Sequence, residues 1–552
     1  MTNEYRVFGP PGCGKTTFLE RQVKRWATEY GPDGLFVASF TKTAAAEVAG
    51  RDLPIRREQV GTLHSFCFRS LGLNKQDVAE SHVSDFNDAH PGWQLSAGRT
   101  DAEDIAAGSA IGSTDADAVM QQAQSLRARQ IPREAWPTRP AALQMAWDDW
   151  CTENGYTDFT GMIEGALDAV PVAPGSPRIG LFDEAQDFTP LELALVRKWG
   201  AQMETFLIAG DDDQCIYGFK GATPDVFLDP PVDDDHRRVL SQSYRVPATV
   251  HGLSQAWVAQ LSRREPKAYA PRVENDEPVI GSIGTTSGGM HSPQTLVERV
   301  ARQADDGKTV MILASCSYML RPILAAMRRE GVPFKNLYRT ARGDWNPLAR
   351  GSSRRRMPVD RLLGFLRPEP GVWDKPRMWS WGEAAAWCDL LRSKGLMRTG
   401  AKTWLSGHPT NAEADIVAMH EHVWSEPDSE TVMALEDCNL EVLYELMLAS
   451  KRDPYLFPLT IARKRGKRAL VDEPRITVGT IHSVKGGQAD VVYLLPDVSM
   501  QGYHQWSSPL SRDEVVRQFY VGMTRARESL VVCEGARRSV PLDAWVRKAV
   551  AA

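Results

Sequence analysis

The stretch YRVFGPPGCGKTTFL, Tyr5 to Leu19, limits what this chain can fold into more than any other segment. It reads as a short apolar strand, a glycine-rich turn and the start of a helix. Gly9 to Thr16 matches GxxxxGK[ST] at every fixed position. Glycines let backbone N–H groups close around phosphate oxygens, and the helix N-terminus adds partial positive charge. Gly9, Pro10, Pro11, Gly12, Cys13, Gly14, Lys15, Thr16 and Thr17 are therefore the candidate nucleotide-binding residues. Lys15 would reach the β- and γ-phosphates, and Thr16 would offer its hydroxyl to Mg²⁺. A turn that binds nothing is the alternative, disfavoured by the strand before it and the helix after it.

RIGLFDEAQDF supplies a second half. Ile179 to Phe182 is apolar enough for a strand buried on both faces, and it ends in Asp183 and Glu184. Doubly wound sheets place their ligands at that carboxyl edge. One acid can hold a metal shell, assigned to Asp183, and the next can accept the proton of an attacking water, assigned to Glu184. By itself an apolar run ending in Asp-Glu is more often a solvated strand end; beside a P-loop the catalytic reading gains.

Length and composition bound the rest. A chain of 552 residues exceeds one ordinary core and suggests several domains. The eight cysteines are scattered without a CxxC pair, which disfavours a disulfide framework or zinc site and suits a reducing, intracellular setting. No apolar run reaches membrane-spanning length, and the P-loop begins too early to leave room for a signal peptide. Net charge is −5, so a polyanion would have to be held by a local groove.

The order and wording of further segments resemble the UvrD/Rep/PcrA group of superfamily 1 DNA helicases. GPPGCGKTT is similar to motif I, SFTKTAAAEV (Ser39 to Val48) to motif Ia, and VGTLHSF (Val60 to Phe66) to the segment after it. DEAQD resembles motif II, GDDDQCIYGFKGA motif III, and QSYRVP (Gln242 to Pro247) motif IV. VGTIHSVKGGQAD (Val478 to Asp490) resembles motif V, and RQFYVGMTRAR (Arg517 to Arg527) motif VI. The resemblance implies an α/β fold of two RecA-like P-loop domains, parallel sheets flanked by helices, each with a mainly helical insertion. The expected layout is 1A at 1–75 and 176–232, 1B at 76–175, 2A at 233–344 and 467–552, and 2B at 345–466.

The same resemblance assigns roles. Arg245 and Arg525 are similar to arginine fingers supplied by 2A, Gln214 to a sensor of the γ-phosphate or attacking water, and Tyr244 to a tyrosine stacked on adenine. A core tyrosine is the rival for Tyr244. Phe40, Thr41, His64, Tyr217, Phe219, Lys220 and His482 are the candidate DNA contacts, with core packing a live alternative for each aromatic, Tyr217 above all. ATP and Mg²⁺ are the implied cofactors. Single-stranded and tailed duplex DNA are the implied partners, with a replication or repair protein as a further one and no membrane. The implied activity is ATP-dependent 3′–5′ movement on single-stranded DNA, without sequence preference, that unwinds duplex DNA. A translocase that strips proteins with little unwinding is the alternative. A non-catalytic nucleic-acid-binding regulatory module is the alternative of another class.

Several residues depart from the family pattern. Phe219 and Lys220 stand where Trp and Arg are usual, and Gln488 where Glu is common. Relatives read adenine with a glutamine-bearing segment ahead of the P-loop; here the expectation is either looser base selectivity or a base held by Tyr244 and other residues. The tryptophan-rich stretch Gly371 to Leu391 is expected to form the core of a small helical 2B, and the triple arginine in GSSRRRMPVDR is either a solvated face or a phosphate contact. The run FLIAGDDDQCIYGFKGA, Phe206 to Ala222, is expected to place an ATP end and a DNA end on one segment, its aspartates near Mg²⁺ and the arriving arginines.

Overall fold

The computed structural model describes residues 3–39, 54–96, 114–337, 345–351, 356–369, 372–536 and 538–551. Phe40, Thr41, Arg354 and Arg355 lie outside the described residues. The chain divides into two compact units. One comprises Met1–Met290, Met311–Leu320 and Gly479–Ala552; the other comprises His291–Val310 and Arg321–Val478.

The first unit contains a six-stranded parallel sheet. Its strands are β1 (Glu4–Phe8), β2 (Leu35–Ser39), β3 (Val60–Thr62), β4 (Ile179–Asp183), β5 (Thr205–Gly210) and β6 (Arg237–Val239), in the order β3-β2-β4-β5-β1-β6. Side chains alternate across a strand, so each central strand feeds two cores. Val7, Val37, Leu181 and Leu207 pack with Leu19, Val23 and Ala27 of the helix Lys15–Tyr30 on one face. Phe8, Phe36, Phe182 and Ile208 pack with Phe66, Leu195 and Trp199 on the other. That two-sided burial explains why β4 and β5 read as continuous apolar runs. The order sets β5 between β1 and β4, so the P-loop, the acidic turn after Gly210 and the Asp183–Glu184 pair leave neighbouring carboxyl ends.

A second sheet joins β7 (Ser282–Thr286), β8 (Val310–Ala314), β9 (Ile476–Thr480), β10 (Ala489–Leu494) and β11 (Ala526–Cys533), in the order β9-β8-β10-β11-β7. The chain passes from one unit to the other within β8 and β9. Val492, Leu494, Leu530 and Val532 face Trp257, Phe519 and Tyr520 in its core. The chain thus forms the expected mixed α/β fold with parallel sheets flanked by helices.

Between β3 and β4 run the helices Asp115–Ala128, Thr138–Asn154 and Phe159–Ala169. Thr114 and Asp158 cap the first and third, each accepting a backbone N–H two or three residues into the helix. Phe86, Leu143, Trp147 and Trp150 form their core. The second unit is mainly helical, with short helices from Pro358 to Arg465. Trp379, Trp387 and Trp424 are fully buried in it, and the Trp379 indole donates to the Phe365 carbonyl at 3.0 Å. Trp379, Trp381 and Trp387 of the tryptophan-rich stretch are core, not a stacking platform.

Candidate active site

The P-loop is held against the segment that follows β6. Gly12 has φ 75°, and a Cβ there would lie 2.5 Å from the Arg245 Cβ and 2.8 Å from the Ser243 hydroxyl. Only glycine combines that left-handed backbone with so close an approach. Ser243 donates to the Pro11 carbonyl at 2.8 Å, and the Tyr244 N–H donates to the Gly12 carbonyl at 2.9 Å. Gly9 N–H donates to Gly210 O at 2.8 Å, and Cys13 N–H to Pro10 O at 3.1 Å. Burial pushes the Cys13 thiol up to about 12, so it stays neutral. Thr16 and Thr17 lie in the first turn of the helix that Lys15 begins.

Lys15 donates to Gly9 O at 3.1 Å and lies 3.7 Å from Glu184. Burial opposes its ammonium, but Glu184, Asp211 and Asp183 outweigh that and raise its pKa. Glu184 sits in the left-handed region, at φ 54° and ψ 38°. For a non-glycine residue this costs about 1–3 kcal/mol, a strain that gathers at functional sites. Asp183 closes β4, is buried, and accepts the Glu184 N–H at 2.9 Å. Burial would raise the Glu184 carboxyl, yet Lys15, Lys485, Gln186 and Arg525 together hold it down at about 2.

Two arginines enter the same place. Arg525 is buried; it donates to Gln214 Oε1 at 2.9 Å and Val521 O at 2.9 Å. Arg245 donates to Gln488 Oε1 at 3.0 Å, so the glutamine that departs from the family pattern holds a finger candidate. Among the described residues neither arginine has a carboxylate within ion-pair distance. Burial lowers Arg525 to about 9, helped by the charge of Arg245, and lowers Arg245 to about 10. A buried cation without a carboxylate, as Arg525 is, is costly unless an anion arrives, which fits a triphosphate. Tyr244 is 70% exposed, not a core tyrosine, and its ring lies 3.8 Å from where a Gly14 Cβ would stand.

The acidic turn differs from the expectation. Asp211, Asp212 and Asp213 are completely buried and surround Lys267, whose ammonium lies 3.1, 2.5 and 3.0 Å from them. Arg264 adds a fork onto Asp213 at 2.9 and 2.6 Å. Asp211 also accepts from the Gln214 carboxamide at 2.7 Å. The three charges are thus matched by cations from the loop 262–270, not by the two arginines of the nucleotide site. Lys485 is another residue the motif assignments passed over. It pairs with Asp187, donates to Gln214 O at 3.0 Å and lies 4.0 Å from Glu184. Its signal was its place inside motif V. Lys267 and Arg264 had only one: three acids beside a buried strand require cations nearby.

Tyr217, Phe219 and His482 form a ring cluster with centroids 5.4–5.8 Å apart. Lys220 lies over Tyr217 at 4.9 Å, and His482 Nε2 contacts Ile216 O at 2.9 Å. Tyr217 is buried, Phe219 half-buried and Lys220 exposed. Beside the cluster is a pocket of ≈ 260 Å³, lined in part by Phe219, His482, Gln501, Gln505, Glu514 and Gln518. Burial raises the Glu514 carboxyl against the pull of Arg129 and Arg517. His64 stands apart from these rings, 3.8 Å from Glu192 and edge-on to Phe159.

A P-loop on a parallel sheet, an acidic pair at the neighbouring carboxyl end, a buried Arg525 and a half-buried Arg245 are the features of a P-loop fold of RecA-like architecture. Residues 2–220 match the family model described as an AAA domain, and residues 475–533 match the UvrD-like helicase C-terminal domain. The chain is similar to a probable DNA helicase of Mycoplasma pneumoniae, 24% identical over 293 residues, 48% of this chain and 54% of that one. DNA helicase II of Escherichia coli is 24% identical over 344 residues, 57% of this chain and 46% of that one. ATP-dependent DNA helicase UvrD2 of Mycobacterium bovis is 30% identical over 166 residues, 26% of this chain and 24% of that one. The chain therefore aligns with about half, or less, of the length of these relatives. It belongs to the UvrD-like superfamily 1 helicases.

Proposed function

We propose that this chain is an ATP-driven motor that moves 3′ to 5′ on single-stranded DNA, without sequence preference, and unwinds duplex DNA. The observation that carries this reading is the placement of Gln214. Its side chain accepts from Arg525 in the nucleotide site, its carbonyl accepts from Lys485, and it stands three residues from Tyr217 in the ring cluster. One short segment thereby touches both halves of the chemistry. The domain layout 1A, 1B, 2A and 2B belongs to this proposal, as do an intracellular setting and a replication or repair protein as partner.

ATP is the substrate. The P-loop N–H groups and Lys15 would cradle its phosphates, and Tyr244 would stack on its base. Glu184, kept ionised, would take the proton of the attacking water. Arg245 and Arg525 would meet the charge that develops on the γ-phosphoryl oxygens, which is where phosphoryl transfer needs stabilisation. Thr16 and Asp183 are the residues suited to Mg²⁺, which when bound neutralises phosphate charge. Among the described residues no group of three or more His, Cys, Asp or Glu is placed to hold a metal ion. Phe219, His482 and Lys220 would carry the strand by sequence-tolerant stacking and phosphate contact. Among the described residues no helix is long and apolar enough to cross a membrane.

The test is strand displacement on matched 3′- and 5′-tailed duplexes, with hydrolysis followed in parallel. The proposal expects hydrolysis stimulated by single-stranded DNA and displacement from the 3′ tail. Displacement from the 5′ tail would reverse the polarity, hydrolysis with none would leave translocation alone, and no stimulated hydrolysis would refute the motor.

A further inference from the structure

A sequence of contacts leads into the nucleotide site from a side chain that neither the motifs nor the reaction involves. Lys267 is 1% exposed and lies in the loop after the helix Ala248–Val258. Its ammonium is 3.1 Å from Asp211 Oδ1; Asp211 Oδ2 accepts from Gln214 Nε2 at 2.7 Å; Gln214 Oε1 accepts from Arg525 at 2.9 Å. We propose that Lys267 is a positioning residue for ATP hydrolysis, setting the Gln214 carboxamide, and through it the Arg525 guanidinium, by fixing Asp211.

The orientation matters because a carboxamide can present either end. With Asp211 as acceptor on one side, the Gln214 nitrogen must turn toward Asp211 and its oxygen toward Arg525. Asp211 itself has two pulls on it. Its Oδ1 also accepts from Asp213 N–H at 3.3 Å, and its backbone N–H donates to Gln186 Oε1 at 3.0 Å. Gln186 in turn donates to Glu184 at 2.5 Å. The anchored aspartate therefore reaches the base on one side and the arginine on the other. Lys267 cannot be replaced in this by Arg264, which among the described residues hydrogen-bonds Asp213 and not Asp211. Nor does Arg517 substitute, since it donates to the Asp212 carbonyl and its carboxylate contact is with Asp513 at 3.9 Å. Burial opposes the Lys267 ammonium, and the three carboxylates outweigh it and raise its pKa, so the anchor stays charged.

The inference rests on the proposed ATPase reading, and the experiment separates the two. Lys267→Met alone leaves three buried carboxylates with one cation and is expected to fold poorly. Lys267→Met combined with Asp212→Asn keeps the net charge of the cluster and leaves Asp211 and Gln214 intact. Thermal melting, far-UV circular dichroism and DNA-stimulated hydrolysis are measured on the wild type and the double variant. Expected is a double variant that melts near the wild type, keeps KM for ATP within about threefold and loses about 100-fold in kcat, the scale of a 1 Å misplacement. A folded double variant with wild-type kcat, or one whose kcat and KM change by equal factors, overturns the positioning role. A wild type that does not hydrolyse ATP fails the ATPase reading instead. If the double variant unfolds, Asp211→Asn decides: wild-type kcat there also overturns the role.

Discussion

Arg525→Met should separate folding from chemistry. The guanidinium is buried, hydrogen-bonded to Gln214 Oε1, Val521 O and Gly487 O, and among the described residues has no carboxylate within ion-pair distance. Burial, with Arg245 nearby, brings its pKa down to about 9. Taken against the usual arginine value, that corresponds to roughly 4–5 kcal/mol opposing the charged form in the folded chain. The sign follows from linkage. At pH 7 the group is charged in both folded and unfolded states, so the cost is present and its removal favours folding. Three hydrogen bonds from a charged donor, worth roughly 1.5 kcal/mol or more each, are lost at the same time. The two effects nearly cancel, and the nucleotide-free variant should lie within roughly 2 kcal/mol of the wild type. Transition-state stabilisation has no such offset, and kcat should fall by about 10³-fold or more. Thermal melting with and without a non-hydrolysable ATP analogue reads the rest. The wild type should gain more from the analogue than the variant, because only in the wild type does the anion relieve a buried cation. A variant that unfolds without nucleotide, or one that keeps a tenth of kcat, refutes this reasoning.

Glu184→Gln should retain ATP binding by fluorescence titration and lose about 10²–10⁴-fold in turnover, the range for a general base. Phe219→Ala should weaken single-stranded DNA binding, measured by anisotropy, by roughly 1–3 kcal/mol, with unstimulated hydrolysis unchanged. Burial raises Asp187 and Asp212 to about 6, against the pull of Lys485 and Lys267 respectively. Each takes up a proton in the folded chain before the unfolded one does, so the melting temperature should rise, not fall, from pH 6.5 to 5. Asp187→Asn should flatten part of that rise. Trp387→Ala, in the second unit, should cost about 3–5 kcal/mol without altering nucleotide affinity.

Much of the site could be read in order along the chain because a P-loop needs fixed local spacing. Gly9 to Thr16 must close a turn around phosphate, and an apolar strand must end in Asp183 and Glu184. Such signals live within a dozen residues. The loop cations Lys267 and Arg264 carried no such local signal, since what defines them is the buried charge they meet more than fifty residues away in sequence. Tyr244 illustrates the same limit from the other side: its residue type allowed core or site, and only its exposure beside Gly14 ruled out the core.

The sequence by itself determined the P-loop, the α/β class, the order of the motifs and the family, because these depend on short-range geometry and strand patterning. The tertiary structure alone decided what the three aspartates do. Buried charges must be paired, and the partner can come from any part of the chain that the fold brings within 3 Å or so. Only the packing of the loop 262–270 on the turn after β5 made that partner Lys267.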